Sequence, residues 1–297
     1  MHKITQNVEQ EESPRLFNLT PGFQVWLLII LNFAAGGIIQ LLSGVEALQW
    51  LNAGPDSGHT VLTGRMAIAL YSCIAFLLPI LVFANAIPAE RFYWLKLHQK
   101  TSLVNYLIGA VVMILGVFSV DVVYNLIKAQ VTMPELLEYE KLTAAYSDWL
   151  LMMPDMGNLF TALLFNALVP AVTEELFFRG GVQQASAGWL RNGHAAVWFT
   201  AIVFSFIHFD IIGFPARVLM GATLGYLFYF TGSLQVSVLA HLSFNAFTII
   251  VSYLEQQNPS GFWASFNVPT VVGFVALGVI IVLLYLMFRN SKKIPSL

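Results

Sequence analysis

Charged residues are scarce in this 297-residue chain: they make up 10% of the sequence, against about 25% in soluble domains. Hydrophobic residues account for 58%, and the mean hydropathy is +0.73. So few charges cannot cover the water-facing surface of a folded chain, which excludes a soluble protein and makes lipid the expected solvent. The net charge of −2 lacks the basic excess with which proteins bind nucleic acid, so we expect no nucleic-acid partner.

Cysteine is nearly absent as well. Cys73 is the single one, which excludes an internal disulfide and any metal site built from several cysteines. It lies inside an apolar run, where we expect the thiol to be inert.

What the chain has instead is a series of long apolar runs. A helix needs about 20 consecutive apolar residues to cross a bilayer, and eight runs approach that length. They cover residues 23–42, 66–87, 103–127, 159–178, 195–212, 216–230, 234–253 and 271–288. The sequence therefore predicts an all-α, polytopic membrane helix bundle with about eight transmembrane helices.

The segments between these runs suggest a division of the chain. Residues 134–153 have leucines at helical spacing between charged residues, a pattern typical of an amphipathic surface helix. We divide the chain into a polar tail (1–22), N-terminal membrane helices with the amphipathic segment (23–156), a core region (157–253), and a last helix with a basic tail (254–297).

The distribution of Lys and Arg predicts the orientation in the membrane. With eight spans, ten of these residues fall on the side of both termini and four on the opposite side. Because basic loops stay in the cytoplasm, we expect both termini to be cytoplasmic. The short loops suit a bacterial protein, so we expect an integral protein of the inner membrane.

Two adjacent glutamates stand at the end of the fourth apolar run, in Thr173-Glu174-Glu175-Leu176-Phe177-Phe178-Arg179-Gly180. On a helix, residues four apart share a face and adjacent residues do not, so Glu175 can pair with Arg179 while Glu174 points elsewhere. Charges in hydrocarbon are rare and usually functional. The alternative is that both glutamates cap the polar edge of the membrane segment.

Two further pairs follow at the same spacing: Phe204 with His208, and His241 with Asn245. A lone histidine in an apolar helix is more often a satisfied core residue than a catalyst. Two histidines, an asparagine and an unpaired glutamate all need partners in lipid, however. We therefore expect them to meet in one intramembrane polar cavity among the fourth, fifth and seventh runs.

Such a set can hydrolyse a peptide bond. Glu174 and His208 can bind a water and remove its proton, while His241 and Asn245 can donate hydrogen bonds to a developing oxyanion. The alternative is a zinc site with Glu174, His208 and His241 as ligands and water as the fourth. We favour water activation without a metal, because no His-Glu-x-x-His run is present and asparagine is a poor zinc ligand.

The three motifs Glu174-Glu175-x-x-x-Arg179, Phe204-x-x-x-His208 and His241-x-x-x-Asn245 resemble, in order and separation, those of the CPBP family. This family comprises type II CAAX prenyl endopeptidases and bacterial Abi relatives, and the resemblance covers about residues 158–252. It implies an α-helical membrane bundle with an intramembrane protease site. Glu174 and His208 would be the catalytic base, and His241 and Asn245 the oxyanion donors. The family has been described both as metalloproteases and as glutamic proteases, so the resemblance leaves zinc open.

Two other functions fit the same residues. The first is a transporter that uses them, together with Asp121, as a proton relay. The second is an inactive relative that serves as a membrane scaffold or immunity factor. The absence of an obvious repeat and the intact motifs favour the protease, whose substrate would be a membrane-associated or lipid-modified protein or peptide.

One geometric conflict remains at this stage. His208 would lie about 21 Å deep in the membrane, at 1.5 Å per residue from the start of its helix, while Glu174 would lie near a loop. Either the fourth helix continues past Gly180-Gly181, or the helices tilt.

Overall fold

A computed structural model describes residues 19–86, 95–262 and 268–291. Within these ranges the chain folds into helices and contains no strand, which confirms the all-α prediction. We number nine helices, counting as one helix those segments that are joined directly by π-helical turns. They are α1 (Pro21–Leu42), α2 (Val61–Ser72, Cys73–Leu77 and Leu78–Ala86), α3 (Leu103–Lys128), α4 (Pro134–Leu150), α5 (Met156–Ala162, Leu163–Leu168, Val169–Phe177, Phe178–Gln183 and Gln184–Leu190), α6 (Gly193–Phe206), α7 (Phe214–Thr231), α8 (Leu234–Gln257) and α9 (Thr270–Asn290).

Six of these helices are long and apolar enough to cross a membrane: α1, α2, α3, α5, α8 and α9. α6 is apolar but has only 14 residues, and α7, which includes Pro215 and Arg217, is not among the six. The polytopic membrane bundle is therefore confirmed, while the number of eight crossings is not. The amphipathic α4 begins at Pro134 as predicted and ends at Leu150.

α5 resolves the conflict over depth. It runs for 35 residues, from Met156 to Leu190, so it is about 52 Å long at 1.5 Å per residue. The predicted end at Phe178 is wrong, because the helix continues through Gly180 and Gly181 as a π turn. Glu174 thus lies near the middle of a long helix and not at its end.

Glycine at positions 180 and 181 has a packing role. A Cβ atom at Gly181 would lie 2.8 Å from Ile80 Cδ1 and 3.2 Å from Leu28 Cδ1. Two glycines in succession usually signal the end of a helix, but here Gly181 lets α1 and α2 approach α5 closely, and a Cβ atom at Gly180 would lie 3.0 Å from Leu95 Cδ2.

The fifth predicted run, 195–212, is also corrected. α6 ends at Phe206, and His208 lies in the turn that connects α6 to α7. Phe209 has a φ of +53°, in the left-handed region that terminates a right-handed helix. Asp210 Oδ1 accepts from the Gly213 N–H at 3.0 Å, and Ser205 Oγ donates to the Phe214 carbonyl at 2.8 Å, so the turn is well fixed.

A cluster of aromatic side chains packs α2, α5 and α6 together beside the Glu174-Glu175 and Phe204-His208 motifs. The ring of Phe178 lies 5.6 Å from that of Phe76, 5.0 Å from that of Phe177 and 4.9 Å from that of Phe204. All four side chains are buried. This packing fixes the part of α5 that carries the two glutamates against α6.

Some predictions lie outside the described residues. These are the polar tail up to residue 18 and the end of the basic tail, which includes Lys292 and Lys293. The division of the chain into four regions and the cytoplasmic location of the termini stay predictions.

Candidate active site

A polar cavity of about 530 Å³ lies among α3, α5, α7, α8 and the α6–α7 turn. Its lining includes all four residues that the sequence proposes for catalysis, Glu174, His208, His241 and Asn245, and also Phe204. The structure thus brings together side chains from two helices and a turn that are up to 71 residues apart in the chain. Their catalytic roles stay predictions.

The expected contact between Glu175 and Arg179 is present beside this cavity. Arg179 Nη1 lies 2.8 Å from Glu175 Oε1, and both side chains are fully buried. Arg179 Nη2 donates to the Gly221 carbonyl at 2.8 Å, and the guanidinium lies over the ring of Phe204 at 5.3 Å. A buried charge needs this kind of pairing, because an isolated one is expensive to remove from water.

Glu175 has a second partner that the sequence analysis missed. Its Oε1 atom also accepts from Nδ1 of His241 at 2.9 Å, so one carboxylate oxygen links the ion pair on α5 to the imidazole on α8. The bond places the Nδ1 proton toward Glu175 and leaves Nε2 for the cavity. Glu175 is therefore also the residue that orients His241.

His208 is oriented in a similar way. Its Nδ1 atom lies 2.6 Å from the carbonyl oxygen of Phe204, which can only accept a hydrogen bond. Nδ1 thus carries the proton, and Nε2 of the neutral ring has a free lone pair. Phe204 packs against this imidazole with ring centroids 4.8 Å apart, and lies 6.3 Å from the ring of His241.

Glu174 and Asn245 contrast with these anchored residues. Neither side chain makes a hydrogen bond to any residue in the described part of the chain, although both line the cavity. Glu174 is 8% exposed, whereas Glu175 is fully buried. The two adjacent glutamates thus have different surroundings: one is bonded within the fold and the other is open to the cavity.

The cavity does not match a zinc site as it stands. Among the described residues, no group of three His, Cys, Asp or Glu side chains converges closely enough to hold a metal ion. Zinc would require Glu174, His208 and His241 to lie within about 2.0–2.2 Å of one point. The hydrogen bonds at Nδ1 of His208 and His241 are of the kind that orients metal-binding imidazoles. However, Glu174, His208 and His241 do not converge on one point in this arrangement.

Several cavity residues escaped the sequence analysis. Arg217 pairs with Asp210 at 2.5 Å, and Tyr124 of α3 donates to Glu140 at 2.8 Å. Asn166 lies two helical turns before Glu174. Asp121, the residue proposed for a proton relay, lines the cavity as well.

The sequence contains one signal for Asn166: it is an amide inside an apolar run, four residues before a proline.

Among the described residues, the structure is thus a helical bundle of the integral membrane class, with a polar cavity beside the middle of its longest helix. Comparison with known families makes this specific: residues 156–247 match the family described as "Type II CAAX prenyl endopeptidase Rce1-like". This segment, about a third of the chain, is therefore similar to that family, which confirms the resemblance seen in the three motifs. The match indicates a protease, and the apolar helices indicate an integral membrane protein. No curated protein and no solved structure matched the chain.

Proposed function

We propose that this protein is an intramembrane endopeptidase that hydrolyses a peptide bond with a water activated by Glu174 and His208. The observation that supports this most is the lining of one cavity by Glu174, His208, His241 and Asn245. Each imidazole is held by its Nδ1 atom, so that Nε2 is available to the cavity. Its substrate would be a membrane-associated or lipid-modified protein or peptide.

In the first step, a water bound between Glu174 and His208 loses a proton. Nε2 of His208 carries a lone pair, and the Glu174 carboxylate makes no hydrogen bond within the described fold, so both can accept from water. The resulting hydroxide attacks the carbonyl carbon, and the carbonyl oxygen takes up the negative charge. The residue that took up this proton then passes it to the leaving amide nitrogen as the C–N bond breaks, which returns Glu174 and His208 to their starting protonation states.

The oxyanion would be stabilised by His241 and Asn245, which lie one turn apart on α8. His241 uses Nδ1 to donate to Glu175, so it can donate to the oxyanion only if Nε2 is protonated too. In this role it acts as an imidazolium with Glu175 as its counter-ion. Asn245 contributes the N–H of its carboxamide.

The proton-relay transporter has one supporting observation, which is that Asp121 and Glu174 line the same cavity. The family match favours the protease. An inactive scaffold is disfavoured because all residues of the three motifs are present and lie at the cavity or its support.

The proposal is tested with purified protein in lipid vesicles and an internally quenched peptide that carries a farnesylated cysteine three residues from its carboxyl end. We expect Glu174→Gln, His208→Ala and His241→Ala each to lower kcat/KM by at least about 100-fold, as loss of a general base or oxyanion donor does. Glu138→Gln, at an exposed position of α4, is the matched control and should keep full activity.

Full activity in purified Glu174→Gln protein would exclude this residue as the base. Cleavage of the same peptide without the farnesyl group, at an equal rate, would show that the lipid is not recognised.

A further inference from the structure

A second cavity, of about 290 Å³, adjoins the candidate active site. The two cavities share four lining residues, Asn166, Phe244, Asn245 and Thr248, so they adjoin at a junction formed by these residues. Beyond the junction the lining is mainly apolar and includes Ile68, Leu150, Leu151 and Ile249. Together the two cavities therefore comprise a polar chamber, a junction with two carboxamides, and an apolar chamber that reaches α4.

The two carboxamides at the junction lack partners. Asn166 Oδ1 is fully buried and has no hydrogen-bond partner among the described residues, and the side chain of Asn245 makes no hydrogen bond there either. A buried amide oxygen without a partner costs about 1–3 kcal/mol and calls for an explanation. An amide presents both a donor and an acceptor, the same groups that an extended polypeptide backbone offers.

The position of Asn166 is held by an irregularity in α5. Pro170 has no N–H, and its ring would collide with the carbonyl of the residue four positions earlier, which is Asn166. The helix widens there into the π turn Leu163–Leu168, and such turns are frequent at functional sites. α8, which carries Asn245, packs against this turn.

We propose that the apolar chamber is a substrate subsite, and that Asn166 holds the backbone of an extended peptide at its opening, next to the oxyanion donor Asn245. The inference rests on the proposed protease function. Asn166 precedes Glu174 by eight residues, which corresponds to about 12 Å along α5. An extended chain advances about 3.3–3.6 Å per residue, so the chamber receives an apolar side chain three or four residues from the scissile bond.

The test measures binding separately from cleavage. Fluorescent farnesylated peptides, shortened one residue at a time on either side of the scissile bond, are titrated onto full-length Glu174→Gln protein in vesicles. The same series is repeated with Asn166→Leu added, and with Asn105→Leu added as a matched control. Asn105 bonds to Thr101 and lies outside both cavities.

We expect Asn166→Leu to weaken binding roughly tenfold for peptides that extend three or more residues on one side, as loss of one or two hydrogen bonds does. For shorter peptides on that side, Asn166→Leu and the control should bind equally. Ser147→Trp provides a second variant that fills the apolar chamber from its exposed wall on α4. It should also weaken binding of the long peptides only.

Equal binding of all peptides by Asn166→Leu and the control would overturn the subsite, as would a loss of affinity that is the same at every length. Failure of the proposed function is a different result, namely that the wild-type protein cleaves no peptide of the series although binding shows the expected dependence on length. Absence of binding to the Glu174→Gln protein at every length would overturn the subsite as well.

Discussion

Glu175 is the residue on which the buried polar network depends, because its Oε1 atom binds both Arg179 and His241. Sequence spacing alone presents it as half of an ion pair. The structure makes it the link between the long helix α5 and the imidazole that α8 contributes to the cavity. A change at Glu175 should therefore affect stability and the orientation of His241 together, whereas a change at Arg179 leaves the bond to His241 in place.

We predict that Glu175→Gln and Arg179→Leu both destabilise the fold, by about 3–5 kcal/mol, because Glu175→Gln leaves the Arg179 charge buried without its counter-ion and Arg179→Leu leaves Glu175 with His241 as its one remaining partner. The melting temperature of each variant in detergent measures this. Lys141→Gln, which breaks an exposed pair with Glu138, is the control and should change the stability by less than about 1 kcal/mol. Unchanged melting temperatures for Glu175→Gln and Arg179→Leu would contradict the buried pair.

Among the elements, α4 is attached to the bundle by few contacts, and its only buried residue is Leu150. Lys128 and Tyr124 of α3 donate to Glu140 and hold the pKa of that carboxyl below its usual range. At the end of α4, the fully buried Arg65 donates to the carbonyls of Leu150 and Met152. Arg65 therefore joins α2 to the C-terminus of α4.

We predict that Arg65→Met loosens α4, because two buried carbonyl oxygens lose their donor at about 1–3 kcal/mol each. Hydrogen exchange of the backbone amides in 134–150 should become faster, and the melting temperature should fall. Lys141→Met, at an exposed position on the same helix, should leave both unchanged. Exchange at the wild-type rate in Arg65→Met would show that α4 is held by other contacts.

Two glycines of α9, Gly273 and Gly278, differ in how closely neighbouring atoms approach them. A Cβ atom at Gly273 would lie 2.3 Å from Val122 Cγ2 and 2.9 Å from the Phe118 carbonyl oxygen, whereas one at Gly278 would meet nothing within 4 Å. The close approach of α9 to α3 thus depends on the first glycine and not on the second.

We predict that Gly273→Ala destabilises the protein by about 1–3 kcal/mol through overpacking. Gly278→Ala should stabilise it by up to about 1 kcal/mol, because alanine is the better helix former. Thermal unfolding of the two variants, side by side in the same detergent, provides the measurement. A lower stability of Gly278→Ala than of Gly273→Ala would contradict this packing of α9 on α3.

At the scale of the whole molecule, the candidate site depends on how four parts of the chain meet. α5 supplies Glu174, the α6–α7 turn supplies His208, α8 supplies His241 and Asn245, and α3 closes the cavity. Water activation needs hydrogen-bond distances of about 2.6–3.2 Å, whereas zinc needs three ligands at one point.

We therefore predict that purified, active protein contains substoichiometric zinc and keeps its activity after exhaustive chelation. Elemental analysis and activity before and after chelation provide the measurement. One tightly bound zinc per chain, with activity lost on its removal and restored on its return, would reverse this and make Glu174, His208 and His241 ligands.

Local spacing along the sequence predicted what lies within one helix. The contact between Glu175 and Arg179 follows from four-residue spacing, and the approximate bounds of α1, α3, α8 and α9 follow from apolar length. The predicted C-terminal ends of two helices, α5 and α6, were wrong for local reasons. Gly180-Gly181 indicated a helix end but serves close packing, and α6 stops before His208 because the chain turns at Phe209 and Asp210.

The sequence by itself determined the membrane class, the helical architecture and the resemblance to the CPBP family, because composition, apolar length and motif spacing are properties of the chain alone. Only the tertiary structure decided that α5 extends far enough to bury Glu174 at its middle, that Glu175 orients His241 from 66 residues away, and that Asn166 lies at the junction of two cavities. These features depend on how helices pack against each other. Hydrophobic periodicity shows which residues are apolar, but it contains no information about which helix faces which.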